Sequence, residues 1–111
     1  TEAGMKSSRR PRKRSLVGEY RLSENAKADL IRIYRRGVRE FGEAQAQVYF
    51  NAFFERFEML AEQPLAHPAV DEIRFGYRRR VCGTDSIYYR VIGDSVEVMA
   101  IIGQQDLDDW L

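Results

Sequence analysis

Residues 24–63 read ENAKADLIRIYRRGVREFGEAQAQVYFNAFFERFEMLAEQ, and this stretch decides the fold. In its first half, apolar residues recur at three- and four-residue spacing, which predicts an amphipathic helix over Glu24–Phe41. Ser23 is typical of an N-cap, because its hydroxyl can accept from an otherwise unpaired backbone N–H. Gly42 can adopt the left-handed conformation that ends a helix. The stripe expected to be buried comprises Ala26, Leu30, Ile33, Tyr34, Gly37, Val38 and Phe41.

A second helix is predicted from Glu43 to Gln63, where Pro64 follows. So short a joint makes the two helices antiparallel neighbours in an αα-hairpin. Val48, Ala52 and Met59 fall on the side opposite to the main stripe. They are either scattered apolar surface, which proteins commonly carry, or a strip for a partner. The main stripe, predicted to be core, comprises Ala46, Tyr49, Phe50, Phe53, Phe57, Leu60 and Ala61.

Outside this hairpin the apolar period changes from 3.6 to 2, which is typical of strands. One strand is predicted at Val17–Leu22, and three more at Tyr77–Val81, Ser86–Ile92 and Ser95–Ile102. Gly93-Asp94 is a two-residue hairpin signal between the last two strands. The order β-α-α-β-β-β predicts a two-layer α+β domain, with the αα-hairpin packed on a small antiparallel sheet.

The last predicted strand is apolar on both sides. Val96, Val98, Ala100 and Ile102 should share one face, and Met99 and Ile101 fall on the other. A strand that is apolar on both faces is typically central in its sheet. We therefore expect this strand to have neighbours on both edges.

Composition limits the function classes. The chain has 111 residues, of which 44% are apolar, enough for one folded domain. No apolar run approaches the roughly 18 residues that span a bilayer. The single Cys82 cannot form an internal disulfide and fits a reducing cytoplasm. With one cysteine and one histidine, His67, we expect no metal and no cofactor.

Charge divides the chain unevenly. Residues 1–14 carry a net charge of +5 and the remainder a net charge of −4. This predicts a disordered basic arm at 1–14 attached to a folded domain at 15–111. The arm is either solvated or a contact with nucleic acid or an acidic protein. In the latter case the chain could be a binding module that uses its basic arm on nucleic acid.

Five stretches, in this order and spacing, resemble the ParE/RelE toxin superfamily of bacterial toxin–antitoxin systems, and ParE more closely than RelE. They are YRLSENAKADL at 20–30, FGEAQAQVYF at 41–50, IRFGYRR at 73–79, IYYRV at 87–91 and VEVMAIIGQQD at 96–106. The resemblance covers about residues 17–108.

The resemblance implies a cytoplasmic toxin that poisons DNA gyrase and blocks replication. It also implies a ParD-like antitoxin, whose C-terminal segment wraps the toxin in a hetero-oligomer. RelE-like relatives instead cut messenger RNA on the ribosome. The fold class alone does not choose between these two targets.

Cleaving RNA through its 2′-OH needs a base, an acid and cationic stabilisation of the phosphorane. His67 lies in a proline-rich loop, which we expect to be away from the strands, and Gly103, which is His in many ParE-like chains, cannot shuttle protons. We therefore assign no catalytic residue and expect a binding protein. The alternative is a ribosome-dependent mRNA endonuclease, because arginines can bind phosphates and Tyr88 and Tyr89 can stack on bases.

Candidate contacts with the target or the antitoxin lie in two places. On a strand, Arg79 would face away from Arg78 and Arg80, so this cluster is either a charged edge or a contact surface. The tail either folds back so that Trp110 and Leu111 cover apolar surface, or touches the target. The candidates are Arg78, Arg79, Arg80, Arg90, Gln104, Gln105, Asp106 and Trp110.

Overall fold

The computed structural model describes residues 19–103, which form four strands and two helices. In chain order these are β1 (Glu19–Leu22), α1 (Glu24–Phe41), α2 (Glu43–Glu62), β2 (Tyr77–Cys82), β3 (Asp85–Ile92) and β4 (Ser95–Gly103). The predicted order β-α-α-β-β-β and the two-layer α+β class are confirmed. Inside the described range each predicted bound lies within one residue of the observed one. The predicted arm at 1–14, the strand start at Val17 and the tail residues Gln104, Gln105, Asp106 and Trp110 lie outside the described residues.

The sheet is mixed, with the strand order β1-β4-β3-β2. Strands β2, β3 and β4 form the expected antiparallel meander, and β4 is central as predicted. The expectation of an antiparallel sheet is wrong for β1, which pairs parallel to β4. Alternation of side chains marks a strand but does not encode its direction, which depends on how the helical hairpin returns the chain to the sheet.

The helical hairpin is tied to the sheet at its start and closely packed at its joint. The hydroxyl Oγ of Ser23 accepts from the N–H of Ala26 and donates to the carbonyl of Met99, each at 3.0 Å. A Cβ at Gly37 would lie 3.2 Å from Cβ of Ala46, so the helices approach closely there. The prediction that Phe41 is buried is wrong: it is 69% exposed, because it lies in the last turn of α1, beyond the packed part.

The main core lies between the hairpin and one face of the sheet. Phe53 and Phe57 of α2 are fully buried against Ile87 and Tyr89 of β3. Burying a side chain of this size stabilises the fold by about 1.5–3 kcal/mol relative to leaving it exposed. The predicted aromatic stripe of α2 is therefore core, with Tyr49 and Phe50 packed at its margin.

A β-bulge in β4 changes which residues share a face. Tyr88 pairs with Ala100 and Tyr89 pairs with Val98, so Met99 is the extra residue. Val96, Val98 and Ile101 therefore face the helices, whereas Ala100 and Ile102 face the other side. The prediction of one face for Val96, Val98, Ala100 and Ile102 is wrong, because one extra residue reverses the alternation after it.

The segment between α2 and β2 wraps around the outer edge of β2 and covers the second face of the sheet. Ala69 forms an antiparallel bridge with Arg78. Beyond it, Val70 is buried in a second apolar cluster with Tyr88, Ala100 and Ile102. Neither helix in the described range is both long and apolar enough to cross a membrane.

Candidate protein-binding surface

The arginines of β2 lie on both faces of an edge strand. Arg78 pairs with Tyr89 and Arg80 with Ile87, both of which face the helices, whereas Arg79 pairs with Tyr88 on the opposite face. All three arginines are half-buried. The alternation predicted for them is thus present, and they do not form one patch. Arg78 and Arg80 belong to the helix side, and Arg79 belongs to the far side.

His67 lies against the two helix-side arginines. Arg78 Nη1 donates to the His67 carbonyl at 2.6 Å, and Arg80 Nη1 lies 3.1 Å from His67 Nε2. The expectation that His67 is away from the strands is wrong, because the bridge between Ala69 and Arg78 holds its loop on β2. Sequence reasoning missed this contact because residues 68–70 pair with β2 but lack the two-residue alternation that marks a strand.

The ring of His67 is neutral and its acceptor nitrogen is engaged. Burial, and then the nearby Arg80 guanidinium, lower the pKa of His67 below its ordinary value. With Arg80 donating to Nε2, the hydrogen-bond network assigns the ring proton to Nδ1. The imidazole therefore acts here as a fixed partner of Arg80, and its lone pair is not free to take a proton from a substrate.

Arg90 lies on the far face of the sheet and has a partner of its own. Its Nη2 and Nε donate to Oε1 of Glu97 on β4 at 2.9 and 3.1 Å. This partly exposed ion pair crosses two neighbouring strands and contributes little to stability. Arg90 is therefore separated from Arg78 and Arg80 and partly neutralised.

A buried carboxylate, Asp85, joins both helices to the turn between β2 and β3. It is 1% exposed, and its Oδ2 lies 2.9 Å from the Tyr49 hydroxyl and 3.6 Å from Arg36 Nη2. The Tyr49 hydroxyl also lies 2.7 Å from the Cys82 carbonyl. From the sequence, Asp85 was placed in an ordinary turn. The only feature of the sequence that indicated a buried partner was Tyr49 on the α2 stripe, because a buried tyrosine hydroxyl needs a hydrogen-bond partner.

Two phenols and the thiol near this carboxylate are held in their protonated forms. Burial, with the hydrogen bond to Asp85, raises the pKa of Tyr49 to about 12. Burial also raises the pKa of the Cys82 thiol and the pKa of Tyr89. A thiol that stays protonated is a poor nucleophile, and Cys82 is buried. Among residues 19–103, no three His, Cys, Asp or Glu side chains are arranged to hold a metal.

Gly83 is required by the same cluster. Its φ is +63°, in the left-handed region that favours glycine. A Cβ at this position would lie 2.5 Å from a ring carbon of Tyr49. The turn between β2 and β3 can therefore close over Tyr49 only with glycine here.

The exposed apolar residues of α2 lie on its side toward β2. Tyr49 near the start of α2 reaches the Cys82 carbonyl, and His67 just after its end contacts Arg78 and Arg80, so α2 runs alongside β2. Helical spacing places Ala52 between Tyr49 and Arg56, with Val48 and Met59 just outside that line. Val48 is 63% exposed and Met59 is 46% exposed. We call this surface the α2–β2 groove; it comprises Val48, Ala52, Arg56 and Met59 of α2 with Arg80 of β2.

The chain matches, over residues 20–107, the family described as "ParE toxin of type II toxin-antitoxin system, parDE". It is similar to Toxin ParE1 of Caulobacter vibrioides, with 38% identity over 85 residues, 77% of this chain and 88% of that protein. It is also similar to Toxin ParE1 of Mycobacterium tuberculosis, with 33% identity over 95 residues, 84% of this chain and 97% of that protein.

The fold has a solved counterpart. A structure described as the chromosomal ParDE TA system from P. aeruginosa superposes with a TM-score of 0.68. The match covers 78% of this chain and 94% of the other at 20% identity. At that identity the likeness concerns the fold alone.

Proposed function

Because the chain belongs to the ParE toxin family of type II toxin–antitoxin systems, we propose that it inhibits DNA gyrase by binding and that a ParD-like antitoxin neutralises it. The observation that carries the proposal is the family match over residues 20–107, a range that includes both helices and β2, β3 and β4. In this proposal the toxin acts in the cytoplasm and is held there in a toxin–antitoxin hetero-oligomer.

The proposed mechanism is capture of a gyrase–DNA intermediate, with no bond broken by the toxin. The chemistry of the described residues supports it. The phenols of Tyr49 and Tyr89 have raised pKa values, and the acceptor nitrogen of His67 is engaged by Arg80. Groups in these states are poor acids and bases near neutral pH. They favour a mechanism that uses surface complementarity.

The test measures gyrase directly. Purified chain at micromolar concentration is added to gyrase, and supercoiling and cleavage complexes are followed on relaxed and supercoiled plasmid. We expect supercoiling to fall, cleavage complexes to accumulate, and both effects to disappear when the ParD-like antitoxin is added first. Unchanged levels of both at micromolar toxin contradict the proposal.

The tail is proposed as part of the target contact. Residues 104–111 include Gln104, Gln105, Asp106 and Trp110 and follow directly on the central strand β4. A chain ending at Gly103 should lose gyrase inhibition and keep antitoxin binding. Full inhibition by the shortened chain would remove the tail from the contact.

A ribosome-dependent mRNA endonuclease is the second candidate, because the half-buried arginines of β2, Arg78, Arg79 and Arg80, can bind phosphates. Transcript ends mapped after induced expression decide between the candidates. Cleavage by the unmutated chain that is lost when Arg78, Arg79 and Arg80 are changed to alanine would establish the nuclease, and intact transcripts would exclude it.

A further inference from the structure

We propose that the α2–β2 groove is the docking site for an acidic segment of the antitoxin, one that carries apolar side chains between its carboxylates. This inference rests on the proposed function, because it assigns a site to the partner named there. It commits to one occupant, a polypeptide of that chemistry.

The apolar half of the site is the strip on α2. Val48 and Met59 are three helical turns apart and share a side of α2 with Ala52, whose side chain packs against the margin of the core. The exposed Glu55 lies between Ala52 and Met59 at the same helical spacing, so a partner's carboxylates belong on the β2 side of this strip. A partner helix or strand that lays apolar side chains against Val48 and Met59 would remove them from water.

The charged half of the site is formed by Arg56 and Arg80. Nε of Arg56 is buried and has no hydrogen-bond acceptor among residues 19–103. Tyr49 near the start of α2 contacts the Cys82 carbonyl, and His67 just after α2 contacts Arg78 and Arg80. Arg56 and Arg80 therefore lie between these two ties, where α2 runs alongside β2. Two guanidinium groups on this side of α2 favour carboxylates from a partner, because charge-assisted bonds to guanidinium are strong.

The combination of the two halves selects the partner's chemistry. A nucleic-acid backbone would use the arginines but would leave Val48 and Met59 against phosphates and water. A purely apolar partner would bury Arg56 and Arg80 without counter-charges, which is costly. An amphipathic acidic segment satisfies both halves at once.

The experiment uses the full chain and, as probe, its purified cognate ParD-like antitoxin. The test variant is Val48→Glu with Met59→Glu, and the matched control is Ile31→Glu, an apolar residue that is 51% exposed on α1. A second pair compares Arg80→Gln in the groove with Arg35→Gln on the exposed face of α1. Isothermal titration gives the affinities, and thermal unfolding verifies that each variant is folded.

We expect the double glutamate variant to bind the antitoxin about 100-fold or more weakly, because two contacts of the size of interface hot spots are replaced by repelling charges. The Ile31→Glu and Arg35→Gln variants should bind within about threefold of the unmutated chain, since changes outside an interface are near-neutral. Arg80→Gln should weaken binding about tenfold and flatten its salt dependence.

Equal binding by the double glutamate variant and the Ile31→Glu control overturns the inference. The gyrase assay on the same preparations keeps this result separate from the proposed function. If the unmutated chain inhibits gyrase and binds the antitoxin while the groove variants also bind, only the docking site is wrong. If the unmutated chain does neither, the function itself is wrong.

Discussion

The outward faces of the two helices differ, although both helices share one core. On α1 the outer residues are mostly charged, among them Arg35 and Arg39. On α2 the outer side includes the exposed Val48 and Met59. The helix α1 also exposes two large apolar residues, Ile31 and Phe41, but helical spacing places them on different sides of the helix. Val48 and Met59 share one side of α2 and together leave apolar surface to bury. The contrast favours α2 over α1 as the helix that meets another protein.

The charges of α1 also have an internal use. Asp29 Oδ2 accepts from the N–H of Ile101 at 2.9 Å, and Arg32 Nη2 donates to the carbonyl of Ile101 at 3.0 Å. Ile101 lies beyond Val98, where the pairing of β4 with β1 ends. Two side chains of α1 thus take the place of a neighbouring strand and occupy part of an open sheet edge. The corresponding tie of α2 is the contact of Tyr49 with Asp85.

The largest expected effect tests the core that both helices share. Phe57→Ala should lower the free energy of unfolding by about 3–5 kcal/mol, because it leaves a cavity where a fully buried ring packed. Urea unfolding followed by circular dichroism measures it. The matched control is Phe75→Ala at an exposed loop position, which should change stability by less than about 0.5 kcal/mol. Similar effects of the two changes would mean that Phe57 is not in the core.

The next effect tests the tie of α1. Asp29→Ala removes the acceptor of the Ile101 N–H, and leaving such a donor unsatisfied costs about 1–3 kcal/mol. Amide hydrogen exchange should accelerate at Ile101 more than at Val98, whose strand pairing is intact. The control is Glu24→Ala, which breaks only the exposed pair with Lys27 and should cost less than about 0.5 kcal/mol. Unchanged exchange at Ile101 would contradict the role given to Asp29.

The smallest effect is a pH dependence that belongs to the tie of α2. The pKa of Tyr49 is raised from 10.0 to about 12, so the folded state holds the phenol proton more tightly than the unfolded state. The resulting contribution to stability is present below pH 10 and is lost as the pH rises toward about 12. Stability measured by urea unfolding should therefore fall more steeply in that window for the unmutated chain than for Tyr49→Phe. Parallel curves for the two proteins would refute this assignment.

Local periodicity was sufficient for the helices and for most of the strands. The three- and four-residue spacing in residues 24–63 gave both helices, and Ser23 and Gly42 bound the first as expected. The alternation in residues 77–102 gave three strands to within one residue. These features are local, because each is set by side chains a few positions apart.

The candidate site was predictable only in part. The apolar strip on α2 and the two-faced arginines of β2 follow from helical and strand spacing. The proximity of the strip to these arginines does not follow from spacing, and neither does the position of His67 against Arg80. The buried environment of Asp85 also escaped prediction, because its partners Tyr49 and Arg36 come from two helices far away in sequence.

The sequence by itself determined the family, the element order and most of the residues with which each helix faces the core. Only the tertiary structure decided that β1 runs parallel to β4, that the bulge at Met99 moves Ala100 and Ile102 to the second face, and that α2 and β2 form one groove. The physical reason is how far apart along the chain the interacting residues are. Spacing along the chain fixes how a residue points from its own element, whereas strand direction, register and neighbours depend on contacts between residues that the sequence keeps far apart.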